Sequence, residues 1–273
     1  QFCNRGKIML FLKRFCLLLC VSVLFISCKK VDKTMQPPVQ IHPDIVKFDY
    51  VYNLMSDRFK SDVVIPQDEI LDFVKMVNDV IASDSDDLLL LIDKKHIISA
   101  EYVPADLIPV KSCSSYVVNR NDLSLRKIAF DNLAVLGDAA KQDGIRLDIS
   151  STYRSYKYQE RLYARNVAQM GQAAADRESA KPGSSQHQLG IAVDFGSVTD
   201  EYADTLGGKW LSNNAAKYGW SLSFPNGYED VTGFRYECWH YRFIGVKACE
   251  LQQKYFNNIQ QFMIEFIDAW KNA

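Results

Sequence analysis

The chain has 273 residues, a formal net charge of −1, 48% hydrophobic and 24% charged residues, the balance of a globular protein with ample material for a core. Nucleic-acid binding calls for a clustered Lys/Arg face; no basic stripe follows the first thirty residues, so no nucleic-acid partner is expected. The seven cysteines form no CxxC pair, which argues against a zinc knuckle or a thioredoxin-like motif.

Lys7, Lys13 and Arg14 precede an apolar run over residues 15–26, interrupted only by Ser22. A basic flank, a short apolar run and a small residue before a cut are the features of a secretory signal. The run falls short of the ~20 residues that span a bilayer comfortably; a short uncut anchor is the alternative. Phe25-Ile26-Ser27-Cys28 resembles a bacterial lipobox, with Phe25 where leucine is usual. That likeness implies cleavage before Cys28 and lipidation of Cys28, hence a membrane-anchored lipoprotein outside the cytoplasm, in the periplasm or at the cell surface. Residues 29–44, with Pro37-Pro38, read as a tether.

In the body, apolar residues at three- and four-residue spacing predict an amphipathic helix over 66–82, within a helical extension spanning 45–87. The apolar run 88–92 follows an Asp-rich turn and predicts a buried strand. A helix is expected over 124–143, stopping at Gly144, and another over 156–170, stopping at Gly171. Strands are expected at 146–150, 191–195 and 236–243. Residues 247–273 belong to one long amphipathic helix whose aromatic stripe is packing. Helices and strands intersperse without a βαβ rhythm. The expected fold is therefore α+β: a single catalytic domain over 88–246, a central mostly antiparallel sheet flanked by helices, and added N- and C-terminal helices.

Of four histidines, His42 falls in the tether and His96 in a Lys-Lys-His turn. The others stand in Ser185-Gln-His187-Gln-Leu-Gly190-Ile-Ala-Val-Asp194 and in Glu237-Cys-Trp-His240. Two imidazoles and a carboxylate can give a catalytic zinc three ligands and leave a position for water, and a further carboxylate must then carry the proton. Glu237 is the candidate. On a regular strand positions 237 and 240 face opposite sides, so the segment must turn at Cys238-Trp239 or Glu237 must reach in from the preceding loop. The plainer alternative makes Asp194 a turn residue and the histidines satisfied core groups.

These two motifs resemble the signature of the VanY-type D-alanyl-D-alanine carboxypeptidases and their LAS-type zinc metallopeptidase relatives. Ser151-Thr-Tyr-Arg154-Ser-Tyr-Lys-Tyr-Gln159 is similar to the family's arginine motif, and Tyr102-Val-Pro-Ala-Asp-Leu107 and Pro182-Gly-Ser-Ser185 look like further landmarks. The resemblance implies Zn²⁺ on His187, Asp194 and His240, Glu237 as catalytic base, and Arg154 binding and polarising the substrate. It implies peptidoglycan stem peptides as substrate, cut at the terminal D-Ala-D-Ala bond. Ser185 is expected to contact substrate, and Tyr153, Gln159 and Trp239 to line the cleft. Cys238 replaces a common proline and is expected to point away from zinc as a small buried hydrophobe. Gln186 replaces a frequent glutamate and is expected to touch no ligand. The pairing of Cys113, Cys238 and Cys249 stays open. So do an L,D-carboxypeptidase, dipeptidase or endopeptidase specificity, and a non-catalytic peptidoglycan-binding lipoprotein.

Overall fold

The structure, a computed structural model, describes residues 42–273. The signal segment, Cys28 and the tether up to residue 41 lie outside the described residues. Within residues 41–273 the chain forms one compact unit.

The described residues open with helices α1 (Pro43–Leu54), α2 (Asp57–Asp62) and α3 (Ile70–Ser83). His42 begins α1, its Nδ1 accepting from the Asp44 N–H at 3.2 Å, with Pro43 in the first turn, where its missing N–H costs nothing. The expected strand at 88–92 does not form: the segment is buried but irregular. Its backbone groups are taken by side chains and not by a ladder. Asp84 accepts from the N–H of Leu88 (2.6 Å) and Leu89 (3.2 Å), and Arg242 donates to the carbonyls of Leu88 (2.6 Å) and Leu90 (2.8 Å).

Strands β1 (Leu107–Pro109) and β3 (Ser124–Arg126) make a small antiparallel pair. The helix expected from 124 therefore starts three residues late, as α4 (Lys127–Gln142). The main sheet contains β2 (Tyr116–Val118), β4 (Leu147–Ser151), β5 (Ala192–Phe195), β6 (Trp220–Leu222) and β7 (His240–Phe243), in the order β2-β4-β5-β7-β6. Only β2–β4 is parallel, so the sheet is mostly antiparallel. Helix α5 (Tyr156–Met170) is capped by Ser155, whose Oγ accepts from the Tyr158 N–H, and it stops at Gly171 (φ 83°), the stop the sequence predicts. Helices α6 (Gln172–Glu178), α7 (Leu206–Asn214) and α8 (Glu229–Thr232) follow.

Two clusters fill the interior. One lies on the sheet and includes Leu133, Leu136, Ile149, Val193, Phe195, Trp220, Tyr241 and Phe243. The other joins the first helices to the last two, α9 (Val246–Tyr255) and α10 (Gln260–Asn272). Here Phe266 contacts Phe73 edge-on at 5.1 Å and stacks with Phe59 at 6.1 Å. The aromatic stripe of the tail is thus packing, and the N-terminal helices share its core. The tail is two helices, not one. Asn257 and Asn258 are both left-handed (φ 50° and 59°), a conformation Asn tolerates and a helix cannot continue through.

Candidate metal centre

The site is assembled at the middle of the sheet. In the β5–β7 register Asp194 stands directly opposite His240. His187 comes from a single 3₁₀ turn, Gln186–Leu189, opened by Ser185, whose Oγ accepts from the His187 N–H at 3.3 Å, and closed by left-handed Gly190 (φ 72°). At Gly190 a Cβ would sit 3.0 Å from the Arg126 side chain, so glycine is needed for space as well as conformation. On the other flank β4 bulges between Ile149 and Ser151, opposite Asp194. A bulge adds local bend beside a site, and the residues after it clamp the His187 turn: the Thr152 carbonyl meets His187 Nδ1 at 2.6 Å and the Arg154 N–H donates to the His187 carbonyl at 3.2 Å.

His187, Asp194 and His240 each present a donor atom within 4.8 Å of the others, and all three are buried. His187 Nε2 lies 3.2 Å from Asp194 Oδ2, and His240 Nδ1 lies 3.0 Å from Asp194 Oδ1. The outer nitrogens have their own acceptors, the Thr152 carbonyl for His187 Nδ1 and Gln186 Oε1 (3.2 Å) for His240 Nε2. Assigned from these partners, each ring carries its N–H on the outside and turns a lone pair toward a carboxylate oxygen. His187 Nε2 and Asp194 Oδ1 accordingly have no hydrogen-bond partner although buried. Converging acceptors without a proton between them fit a shared cation, and the N, N, O donor set fits Zn²⁺. Burial, then the Arg154 charge, lowers the His187 pKa to about 4, which keeps it a neutral ligand.

Glu237 reaches the same cleft. The backbone turns at Cys238-Trp239, with the His240 N–H donating to the Glu237 carbonyl at 3.1 Å. That turn brings Glu237 Oε2 to 3.7 Å from His240 Nδ1. Burial, then Asp194, raises the Glu237 pKa to about 8. Arg154 approaches from the Asp194 side, its guanidinium 3.6 Å from Oδ2 and its Nε without a partner. The cleft, about 240 Å³, is lined by these five residues and by Ser185, Gln159 and Trp239 among others.

Tyr153 does not line this cleft. It borders a neighbouring pocket with Arg120, Tyr158 and Arg154. Gln159 is tied to the Ala180 carbonyl at 2.7 Å, holding α5 against the wall. Cys238 faces the Thr199 and Asp200 carbonyls (3.6 and 3.7 Å), away from the ligands. Cys113, Cys238 and Cys249 are all free thiols. Gln186 departs from expectation: it does touch a ligand, His240, and also accepts from Ser223 Oγ at 2.7 Å. Ser223 and Phe224, whose ring lies 4.7 Å from that of His240, carry no motif in the sequence, and Thr152 lies within the arginine motif without a role of its own there.

A buried two-histidine, one-carboxylate centre with a second carboxylate at its edge and an arginine beside it defines a metallopeptidase-type site. Residues 122–246 match the family model VanY, D-alanyl-D-alanine carboxypeptidase. The YodJ protein of Bacillus subtilis (strain 168) is 34% identical over 174 residues, 62% of this chain and 64% of that protein; the chain thus spans less than two thirds of this relative. Among solved structures, the LdcB LD-carboxypeptidase superposes with a TM-score of 0.59 at 32% identity, covering 68% of this chain and 88% of LdcB. The vancomycin resistance D,D-pentapeptidase VanY, solved with Zn(II), superposes with a TM-score of 0.51 at 28% identity, covering 60% of this chain and 92% of VanY. Residues 122–246 thus carry a domain of the VanY family of D-alanyl-D-alanine carboxypeptidases.

Proposed function

We propose that this protein is a zinc carboxypeptidase that removes the terminal D-alanine from peptidoglycan stem peptides ending in D-Ala-D-Ala. The observation that carries the reading is the convergence of lone pairs from His187, Asp194 and His240 beside Glu237. A Zn²⁺ held by these three residues would lower the pKa of water toward ~7 and polarise the scissile carbonyl. Glu237, whose proton affinity is already raised, accepts the proton of the attacking water and returns it to the leaving amine. Arg154 offers a planar, charged donor to the substrate carboxylate and to the developing oxyanion.

A second specificity has its own support: LdcB, an LD-carboxypeptidase, has the higher TM-score of the two structures above. Its reading keeps the same residues in the same roles and changes only the residue cut, D-alanine from a tetrapeptide. For its place of action we propose export and lipid anchoring at Cys28, which the sequence of residues 7–28 supports; mass spectrometry of the mature N-terminus tests it.

The test of activity is D-alanine release from pentapeptide and tetrapeptide stems, before and after chelation and with Zn(II) added back. Release from the pentapeptide that chelator stops and Zn(II) restores is the expected result. Release from the tetrapeptide alone selects the L,D specificity, and no release from either stem by the zinc-loaded protein overturns the enzymatic reading.

A further inference from the structure

We propose that the first turn of α10 belongs to the outer shell of the metal centre: Gln260, acting through Ser223 and Gln186, fixes His240 so that Nδ1 faces Asp194. The inference rests on His187, Asp194 and His240 being metal ligands. Its observation is a continuous buried chain of neutral amides and hydroxyls. Gln186 Oε1 accepts from His240 Nε2 (3.2 Å) and from Ser223 Oγ (2.7 Å), whose single hydrogen is shared with Gln260 Oε1 at 3.3 Å, while Gln186 Nε2 donates to Gln260 Oε1 at 3.4 Å. Gln260 Nε2 donates to the Ser221 carbonyl (3.3 Å), and Ser221 Oγ to Gln252 Oε1 on α9 (2.8 Å). Gln252 Nε2 then donates to the carbonyl and side chain of Asn258 (2.9 and 3.0 Å), in the left-handed turn between α9 and α10.

The direction of every bond follows from one requirement. If His240 gives its Nδ1 lone pair to a cation, Nε2 must carry the hydrogen, so the atom of Gln186 facing it must be Oε1 and its amide nitrogen must find an acceptor elsewhere. Gln260 Oε1 is that acceptor. Gln186, Ser223, Gln260, Ser221 and Gln252 are all buried, where a stranded donor or acceptor is costly and a satisfied network is rigid. A helix held only by packing would do better with an apolar residue at 260. Outer partners of ligating histidines set tautomer, orientation and basicity, and their loss typically weakens metal binding about 10–100-fold. The C-terminal helices therefore do more than cover a core: they anchor a positioning residue of the site.

The test is the Zn(II) affinity of the full chain, measured by competition with a chromophoric chelator, alongside thermal stability. Gln186→Met is expected to weaken binding about 10–100-fold, and Gln260→Met to weaken it by a smaller factor. The double variant should match Gln186→Met alone, since both act through one bond. Ile264→Ala, a cavity in the same helix away from the chain of bonds, should lower the melting temperature and leave affinity unchanged. Ser223→Ala probes the same link should Gln260→Met not fold. If wild type binds no Zn(II), the metal reading falls and this inference with it. If wild type binds and Gln260→Met binds equally tightly, or Ile264→Ala weakens binding as much, only this inference falls.

Discussion

Asp194 and His240 are cross-strand partners in β5 and β7, and their facing atoms, Oδ1 and Nδ1, lie 3.0 Å apart; with the ring hydrogen assigned to Nε2, which faces Gln186 Oε1, both are acceptors. The sheet register thus forces two acceptors together, and a cation resolves the conflict. Asp194→Asn should therefore abolish the rise in melting temperature that Zn(II) gives the wild type, since a ligand that binds only the folded state stabilises it by mass action. Calorimetry with and without Zn(II) checks this; an undiminished rise in the variant would remove Asp194 from the ligand set.

Arg154 lies at 3.6 Å from Asp194 yet has an unpartnered Nε, so its guanidinium is free to serve a substrate. Arg154→Lys keeps the charge and loses the planar fork. The expected outcome is a fall in kcat/KM of about 10²–10³-fold, the usual cost of removing an oxyanion donor, with zinc stoichiometry unchanged. Wild-type kcat/KM in the variant would contradict the role.

Much of this site could be read from the sequence because the chemistry sits in short segments. His187 and Asp194 are separated by one turn and one strand, and Glu237 and His240 by one tight turn, so spacing alone constrains their geometry. The turn at Cys238-Trp239 follows from the opposite faces of a regular strand. What the sequence did not reveal depends on partners far along the chain. Gln186 looked inert because His240 lies 54 positions away. The run 88–92 looked like a strand because its apolar residues are buried. Its backbone is instead satisfied by Asp84 and by Arg242, which lies 154 positions beyond Leu88. The tail looked like one helix because apolar spacing continues through Asn257 and Asn258, whose left-handed backbone no periodicity signals.

Arg242 is fully buried and donates to the Leu88 and Leu90 carbonyls; burial lowers its pKa to about 10. Arg242→Met relieves a desolvated charge but strands two carbonyls, at about 1–3 kcal/mol for each group left unsatisfied. The net effect should be destabilising, read as a lower urea midpoint, with zinc affinity retained. A midpoint equal to that of wild type would show that water replaces the guanidinium.

Glu265 is pushed above the usual carboxylate range by burial, partly offset by its bond to Gln261, with Asp93 adding to the rise. Its folded pKa exceeds its unfolded value, so its contribution is fully present below the unfolded pKa, ~4.3, and is lost as pH climbs through the folded value. Glu265→Gln stays neutral throughout. Its stability advantage over wild type should therefore grow from pH 4 toward pH 8 in thermal melts, and a pH-independent difference would refute the assignment.

In the proposed mechanism Glu237 is the residue on which catalysis, as distinct from metal binding, depends. The most direct measurement is D-alanine release by Glu237→Gln, paired with its zinc content. The account predicts stoichiometric zinc and a turnover about 10²–10⁴-fold below wild type, the range of a lost general acid–base. Turnover near the wild-type rate in a zinc-loaded variant would contradict it.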